Sequence, residues 1–305
     1  MHEQSPAVAR QICETPGMRL DHFLAIHWGP LSRRHTRAII AAGAVRVNGV
    51  VARKGLALNS GDVVEVQIAA LATASVPVAE AELAITVLYE DAQLIAIDKP
   101  AGVPAVALRA ADRGTVANFL LGYAAETAAA GGTVFEAGLV HRLDTGTSGV
   151  LLAARTRDAW ALLREQFRTR QVGKRYVALV DGVVVHAGSI SHPIAHDPSR
   201  PRRMMVCSDP SRAAAHGARP ASTRYRPLAP RSGGTLIEVE IATGVRHQIR
   251  VHLAALGHSV LGDALYGRTP APRLFLHATA LTIHHPADGR TLRIESPLPT
   301  AFDEA

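Results

Sequence analysis

The chain has 305 residues, 48% of them apolar, with 33 Lys or Arg against 26 Asp or Glu and a net charge of +7. That length and apolar share allow one large domain with a buried core plus a small one, and they exclude a wholly disordered chain. Two cysteines, Cys13 and Cys207, cannot make a disulfide framework or a cysteine zinc site. No apolar run of about 18 residues exists, and the N-terminus lacks a hydrophobic signal core, so a soluble, reduced, cytoplasmic monomer is expected. All but three cationic side chains are arginines, the lysines being Lys54, Lys99 and Lys174. Arginine offers a planar fork for phosphate, although an alanine-rich, GC-rich coding bias yields the same composition.

Residues 1–17 are polar and unpatterned and read as a loose tail. Residues 18–68 form a small unit. Leu20, Phe23, Leu24 and Ile26 fall at roughly helical spacing. Ser32 then caps a second helix with Arg33, Arg34, His35 and Arg37 outward and Ile39 and Ile40 inward, ended by Gly43. Asn48-Gly49 between Val45–Val47 and Val50–Val51 signals a two-residue hairpin, and a strand follows over 63–68. Residues 69–82 read as a linker and 83–305 as the main domain. In it, strands are predicted over 85–88 and 94–97, an Ala-rich helix over 115–130, and a helix over 157–170. Further strands are predicted over 176–180, 235–241 and 274–276. Helix and strand do not alternate regularly, which predicts an α+β fold on a mixed, largely antiparallel sheet with flanking helices, preceded by a small N-terminal α/β unit. Residues 200–231 hold eight arginines and one acid, Asp209, which suits either a phosphate track or a solvated loop.

The stretch His141-Arg142-Leu143-Asp144-Thr145-Gly146-Thr147-Ser148-Gly149 is the most informative in the chain. It sets one carboxylate, Asp144, on a tight turn that runs into the apolar strand 150–154, which holds the carboxylate rigidly at the lip of a sheet. An Asp before Thr and Gly also serves simply to cap a turn.

The flanking residues carry a resemblance. HRLDxxTSG resembles the signature of the RluA family of pseudouridine synthases at every fixed position. Four more segments are similar to that family in order: YEDAQLIAIDKPAG at 89–102, Lys174-Arg175-Tyr176-Val177-Ala178, HQIRVHLAALGHSVLGDALYG at 247–267, and Leu274-Phe275-Leu276-His277-Ala278. The string SRRHTRAIIAAGAVRVNG resembles the α-L RNA-binding domain, and residues 18–68 hold seven Arg or Lys against three Asp or Glu. The resemblance implies an RNA pseudouridine synthase acting on large-subunit ribosomal RNA. Transfer RNA is the alternative substrate, and a non-catalytic ribosome-assembly factor the alternative function.

By that resemblance Asp144 is the catalytic aspartate, Arg250 its salt-bridge partner, and Tyr176 the ring that stacks on the target base. Arg142 fills the space of the flipped uridine and Leu276 walls the base. Arg33, Arg34, Arg37 and Lys174 are expected to contact RNA. The reaction breaks the ribose–N bond, turns the uracil and rejoins it through carbon, with no net redox change and no water consumed. No metal or other cofactor is therefore expected. A guanidinium beside the carboxylate orients it bidentately and favours its charged form. Two departures from the family pattern stand out. The cation before His247 is Arg246, one place later than usual, which would reverse its direction in a strand. Also, Val103-Pro104-Ala105 replaces the usual His-Pro. Asp-Thr-Gly-Thr also marks aspartic proteases, but those pair two such motifs and this chain has one. A metal site on His247, His252 and His258, or on His284 and His285, lacks ligand spacing.

Overall fold

The computed structural model of the protein describes residues 7–28, 33–72, 77–108 and 111–303, excepting the side chains of Arg33, Arg34 and Ala72. Ser32, expected as a helix cap, and the first residues of the tail lie outside them. Two units are formed, Met1–Leu83 with Val106–Gly138 and Ala84–Ala105 with Leu139–Ala305. The predicted break near residue 83 is thus crossed by a segment that returns to the first unit.

The first unit contains β1 (Val8–Ile12), α1 (Leu20–His27), α2 (Arg33–Ala41), β2 (Val45–Val47), β3 (Val50–Val51), β4 (Val63–Gln67) and α3 (Ile68–Ala72). Among the described residues four strands of this unit form one sheet, ordered β1-β4-β2-β3. Residues 8–12 are therefore not a loose tail. They pair antiparallel with β4 from Val8 opposite Gln67 to Ile12 opposite Val63, and main-chain pairing gives a polar, unpatterned strand its partner. Asn48 and Gly49 both take positive φ, the backbone that a two-residue hairpin needs. Leu20, Phe23 and Leu24 of α1, Ile39 and Ile40 of α2, and Val45, Val47, Val64 and Val66 make the core. Arg37 is exposed. His35 is not fully outward, since its Nε2 meets the Ala70 carbonyl at 2.9 Å.

Two short helices, α4 (Val116–Tyr123) and α5 (Thr127–Ala130), replace the single helix predicted over 115–130. The Thr127 hydroxyl donates to the Ala124 carbonyl at 2.8 Å and competes with the helical ladder there. Residues 78–80 of the expected linker are tied to α4. Asn118 Nδ2 donates to the Val78 carbonyl at 2.6 Å, and the Glu80 amide donates to the Asn118 carbonyl at 2.8 Å.

The second unit contains β5 (Thr86–Glu90), β6 (Leu94–Lys99), β7 (Ser148–Ala154), α6 (Arg157–Arg168), β8 (Gly173–Asp181), β9 (Gly188–Ile190), β10 (Ile194–His196) and β11 (Met204–Val206). These are followed by α7 (Pro210–Ala215), β12 (Thr223–Arg231), β13 (Gly234–Ile241), α8 (Gln248–Ala255), β14 (Leu276–His284) and β15 (Thr291–Glu295). Among the described residues nine strands form one sheet, ordered β5-β6-β7-β14-β8-β13-β12-β9 with β15 on β14. The neighbours β7 and β14 are parallel, and every other neighbouring pair is antiparallel, as the mixed-sheet expectation requires. All seven residues of β7 are buried, so its unbroken apolar run is that of a central strand. The parallel contact explains Gly149. Its φ is +108°, and a Cβ there would stand 2.2 Å from the Ala278 carbonyl oxygen of β14. The Arg-rich stretch 200–231 is β11, α7 and β12 rather than a loop. Pro227 and Pro230 are tolerated because β12 pairs with β9 only over Thr223–Tyr225 and is an edge beyond it. Among the described residues no helix is long and apolar enough to cross a membrane.

Candidate active site

Asp144 stands on the turn just before β7. The Thr147 amide donates to its carbonyl at 3.0 Å, closing the turn, and Lys99 Nζ and the Gly102 amide donate to the next carbonyl, Thr145, at 3.0 and 2.8 Å. Lys99 is fully buried, with Nζ also donating to the carbonyls of Pro100 (2.8 Å) and Val103 (2.7 Å). Burial pulls it down to about 7, against the neighbouring Asp144 charge, which favours the ammonium. The Lys-Pro-x-Gly turn thus fastens the loop that carries the carboxylate.

A cleft of about 280 Å³ opens over Asp144. Its walls come from Arg142 and Thr147 beside Asp144, Tyr176 of β8, Leu276 at the start of β14, Arg246 and His247 of the β13–α8 connection, and Arg250 of α8. Four sequence-predicted residues, Asp144, Tyr176, Arg250 and Leu276, meet here, with Arg142 exposed at the rim. Tyr176 is buried, and that burial, reinforced by the Asp144 charge, pushes its hydroxyl well above the usual tyrosine value.

Arg250 reaches Asp144, but not bidentately as expected. Its Nη1 donates to Asp144 Oδ2 at 2.8 Å, while Nε and Nη2 grip the two oxygens of Asp263 at 2.7 Å each. The Asp263 side chain is fully buried and also accepts from the amides of Leu265 and Tyr266, at 2.9 and 3.1 Å. Burial works against both charges. The Arg250 pair and the two amides nevertheless hold Asp263 below the usual carboxylate value, and the two carboxylates hold Arg250 above the ordinary arginine value. The geometry is a fork anchored on Asp263 with one prong left for Asp144. Sequence reasoning missed Asp263, although Gly262-Asp263 lies inside the matched segment and a buried guanidinium has five donors to satisfy.

The β13–α8 connection is stapled by Gln248. Its Oε1 accepts from Thr243 Oγ1 (2.8 Å) and the Val245 amide (3.1 Å), and its Nε2 donates to the Ser222 carbonyl (2.9 Å). Residues 244–247 are therefore a turn and not a strand, so the strand-reversal argument about Arg246 does not apply, and its side chain is exposed at the cleft. Lys174 does not stand free for RNA. Its Nζ donates to the Thr243 carbonyl at 2.9 Å, and burial lowers it to about 8. Arg33 and Arg34 begin α2 outside the cleft's unit, their side chains beyond the described residues, and Arg37 is in the same helix.

Of the eight arginines in 200–231, Arg224, Arg226 and Arg231 pair with Glu240, Glu238 and Asp303, so that segment is not one continuous phosphate track. Three of the five histidines in the candidate metal groupings are engaged elsewhere. His252 bonds Thr223 Oγ1 and the His192 carbonyl, His258 the Asp181 carbonyl, and His285 Asp91.

Residues 93–255 match the RNA pseudouridylate synthase family, and residues 18–64 match the S4 domain. An uncharacterized RNA pseudouridine synthase of Mycobacterium bovis is 38% identical over 302 residues, covering 95% of this chain and 93% of that one. The ribosomal large subunit pseudouridine synthase D of Nitrosomonas europaea is 35% identical, covering 93% and 82%. Among solved structures, human RNA pseudouridylate synthase domain containing 1 superposes with a TM-score of 0.57 at 25% identity, covering 73% of this chain and 87% of that one.

Proposed function

Because the chain belongs to the RNA pseudouridylate synthase family, in its RluA branch with an N-terminal S4 domain, it is an RNA-binding isomerase, and we propose that Asp144 is its reacting carboxylate and large-subunit ribosomal RNA its substrate. The observation that carries the reading is the single prong of Arg250 on Asp144 at the floor of the cleft. One carboxylate oxygen is tethered at 2.8 Å, and the other keeps its lone pairs for the substrate.

In the proposed reaction the bond from ribose C1′ to uracil N1 breaks, the base turns within the cleft, and C1′ bonds to C5. The C5 proton leaves, and N1 gains one. Asp144 acts at the sugar, by attack on C1′ or removal of the C2′ proton, and either route needs the ionised carboxylate. Tyr176 would stack on the uracil, with Leu276 as the opposing apolar wall. The target uridine must leave its helix, losing a few kcal/mol of stacking, and Arg142 at the rim would fill the vacated space. The S4 domain, with Arg37 exposed and Arg33 and Arg34 leading the same helix, would hold RNA through phosphates without reading bases. Support for ribosomal RNA comes from the relatives named ribosomal large subunit pseudouridine synthase D, 30–35% identical to this chain.

The test uses an unmodified large-subunit ribosomal RNA transcript labelled with tritium at uridine C5, since the isomerisation releases that label to water. The full chain should release it, and Asp144→Asn should bind the transcript equally and release none. Label release from a transfer RNA pool but not from the ribosomal transcript would overturn the substrate assignment. Turnover by Asp144→Asn would overturn the role of Asp144.

A further inference from the structure

His247 is not among the residues to which the sequence assigned a catalytic or RNA-binding role, yet it lines the cleft in a strained and closely held position. It caps α8 in the left-handed backbone region at φ 55°, an uncommon and costly conformation for a non-glycine residue. Its ring is only 7% exposed. Nδ1 lies 2.9 Å from the Tyr266 hydroxyl, and Nε2 points at Asp144 Oδ2, the oxygen already held by Arg250, from 3.9 Å.

Tyr266 decides which ring nitrogen carries the proton. Its hydroxyl oxygen accepts from the Met204 amide at 2.7 Å, and the guanidinium carbons of Arg203 and Arg250 lie over its ring, 4.9 and 5.4 Å from the ring centre. With the oxygen already accepting, the hydroxyl proton of this buried tyrosine has His247 Nδ1 as its acceptor. An Nδ1 that accepts leaves the proton of a neutral imidazole on Nε2, the nitrogen that faces Asp144. The surroundings favour the neutral ring. Burial, followed by Arg250 and Arg246, lowers His247 to about 4, although Asp144 and Asp263 pull the other way.

We propose that His247 is a positioning residue for the isomerisation, with Tyr266 locking it as the Nε2–H tautomer so that it donates to Asp144 Oδ2 when substrate closes the cleft. At 3.9 Å the contact is longer than a hydrogen bond, and catalytic hydrogen bonds commonly tighten only in the substrate complex. Two donors on one oxygen would fix the carboxylate plane and leave the other oxygen as the one that reacts. The inference rests on Asp144 being the reacting carboxylate, but its first test does not.

That test is NMR of the full chain with 15N-labelled histidine, at neutral pH and without RNA. His247 should show a bare Nδ1 and a protonated Nε2, and Tyr266→Phe should abolish the preference. An Nδ1–H tautomer or a doubly protonated ring in the unaltered protein would overturn the proposal whatever the substrate proves to be. The second test is kinetic, on the tritiated ribosomal transcript. His247→Asn suits the left-handed backbone and lacks the Nε2 donor. It should lower kcat about tenfold to a hundredfold, the worth of one hydrogen bond to a charged group, and leave KM within about twofold. Adding Tyr266→Phe should lower kcat no further, because Tyr266 acts through His247. An unchanged kcat in His247→Asn, or a further independent loss in the double variant, would sink the positioning role.

Discussion

Asp263→Asn tests the fork that sets Asp144. The Asp263 carboxylate makes two 2.7 Å bonds to Arg250, its side chain is wholly buried, and the Arg250 side chain is only 9% exposed. Asparagine keeps the shape but turns one acceptor into a donor facing the guanidinium. Breaking a buried pair from one side costs about 3–5 kcal/mol, because the remaining charge is left uncompensated. In a domain of this size that corresponds to a fall in Tm on the order of 10 °C. The kinetic effect should be separate. An Arg250 no longer gripped on its far side can turn toward Asp144, and misplacement of a reacting group by about 1 Å lowers kcat on the order of a hundredfold. Thermal unfolding followed by circular dichroism and tritium release from the ribosomal transcript measure the two.

A cycle sharpens the test. Arg250→Met alone leaves Asp263 charged in a dry site, whereas Asp144, with 23% of its side chain exposed, can take water. Combining Arg250→Met with Asp263→Leu should therefore destabilise less than the sum of the two single changes, by about 1–3 kcal/mol. Additive losses, or a full kcat in Asp263→Asn, would refute the view that Asp263 holds Arg250 for Asp144.

Gly149→Ala should lower stability by more than the usual glycine-to-alanine change, since the added carbon meets the Ala278 carbonyl and φ stays positive, and chemical denaturation will show whether it does. Arg142→Ala should slow turnover of a folded stem-loop several-fold but spare a short unpaired oligonucleotide, because its proposed part is to fill the gap left by the flipped base. Asp91 supplies a pH prediction. Burial alone would raise it, but the Tyr89 hydroxyl, the Gln93 and Leu94 amides and His285 hold it at about 2 against an ordinary 3.8. A depressed carboxylate stabilises the fold above its unfolded value, so this contribution should be lost as pH falls from about 4 toward 2. Asp91→Asn should flatten the acid side of the stability–pH curve, measured by urea midpoints.

The parts legible in the sequence are those governed by local rules. The Asn48-Gly49 turn needs two left-handed residues, and α6 carries a helical apolar stripe over 157–168. The edge elements were not legible. Strand β1 has no alternation to read, because its order comes from pairing with β4, more than fifty residues away. β12 looks like a loop from its prolines, and its exposed arginines gain meaning only opposite Glu238 and Glu240 of β13. In the first case the deciding partner is remote in the chain, and in the second it is the next strand, whose register places each glutamate opposite an arginine.

The same distinction runs through the active site. Asp144, Tyr176, Arg250 and Leu276 could be named from motifs because each would face the substrate. What holds them could not, because it is a matter of which polar atoms are left to be satisfied once the chain is packed. Arg250 requires Asp263, Asp263 requires the Leu265 and Tyr266 amides, and Tyr266 ties His247 to the Met204 amide. These links join β11, α8 with its cap and the loop after it, and the Arg250 bond carries them on to Asp144 in the turn before β7. A buried polar group left unpaired costs as much as the bond it loses, so these links constrain one another. A change at Tyr266, which does not line the cleft, is therefore expected to act on the orientation of Asp144 more than on the binding of RNA.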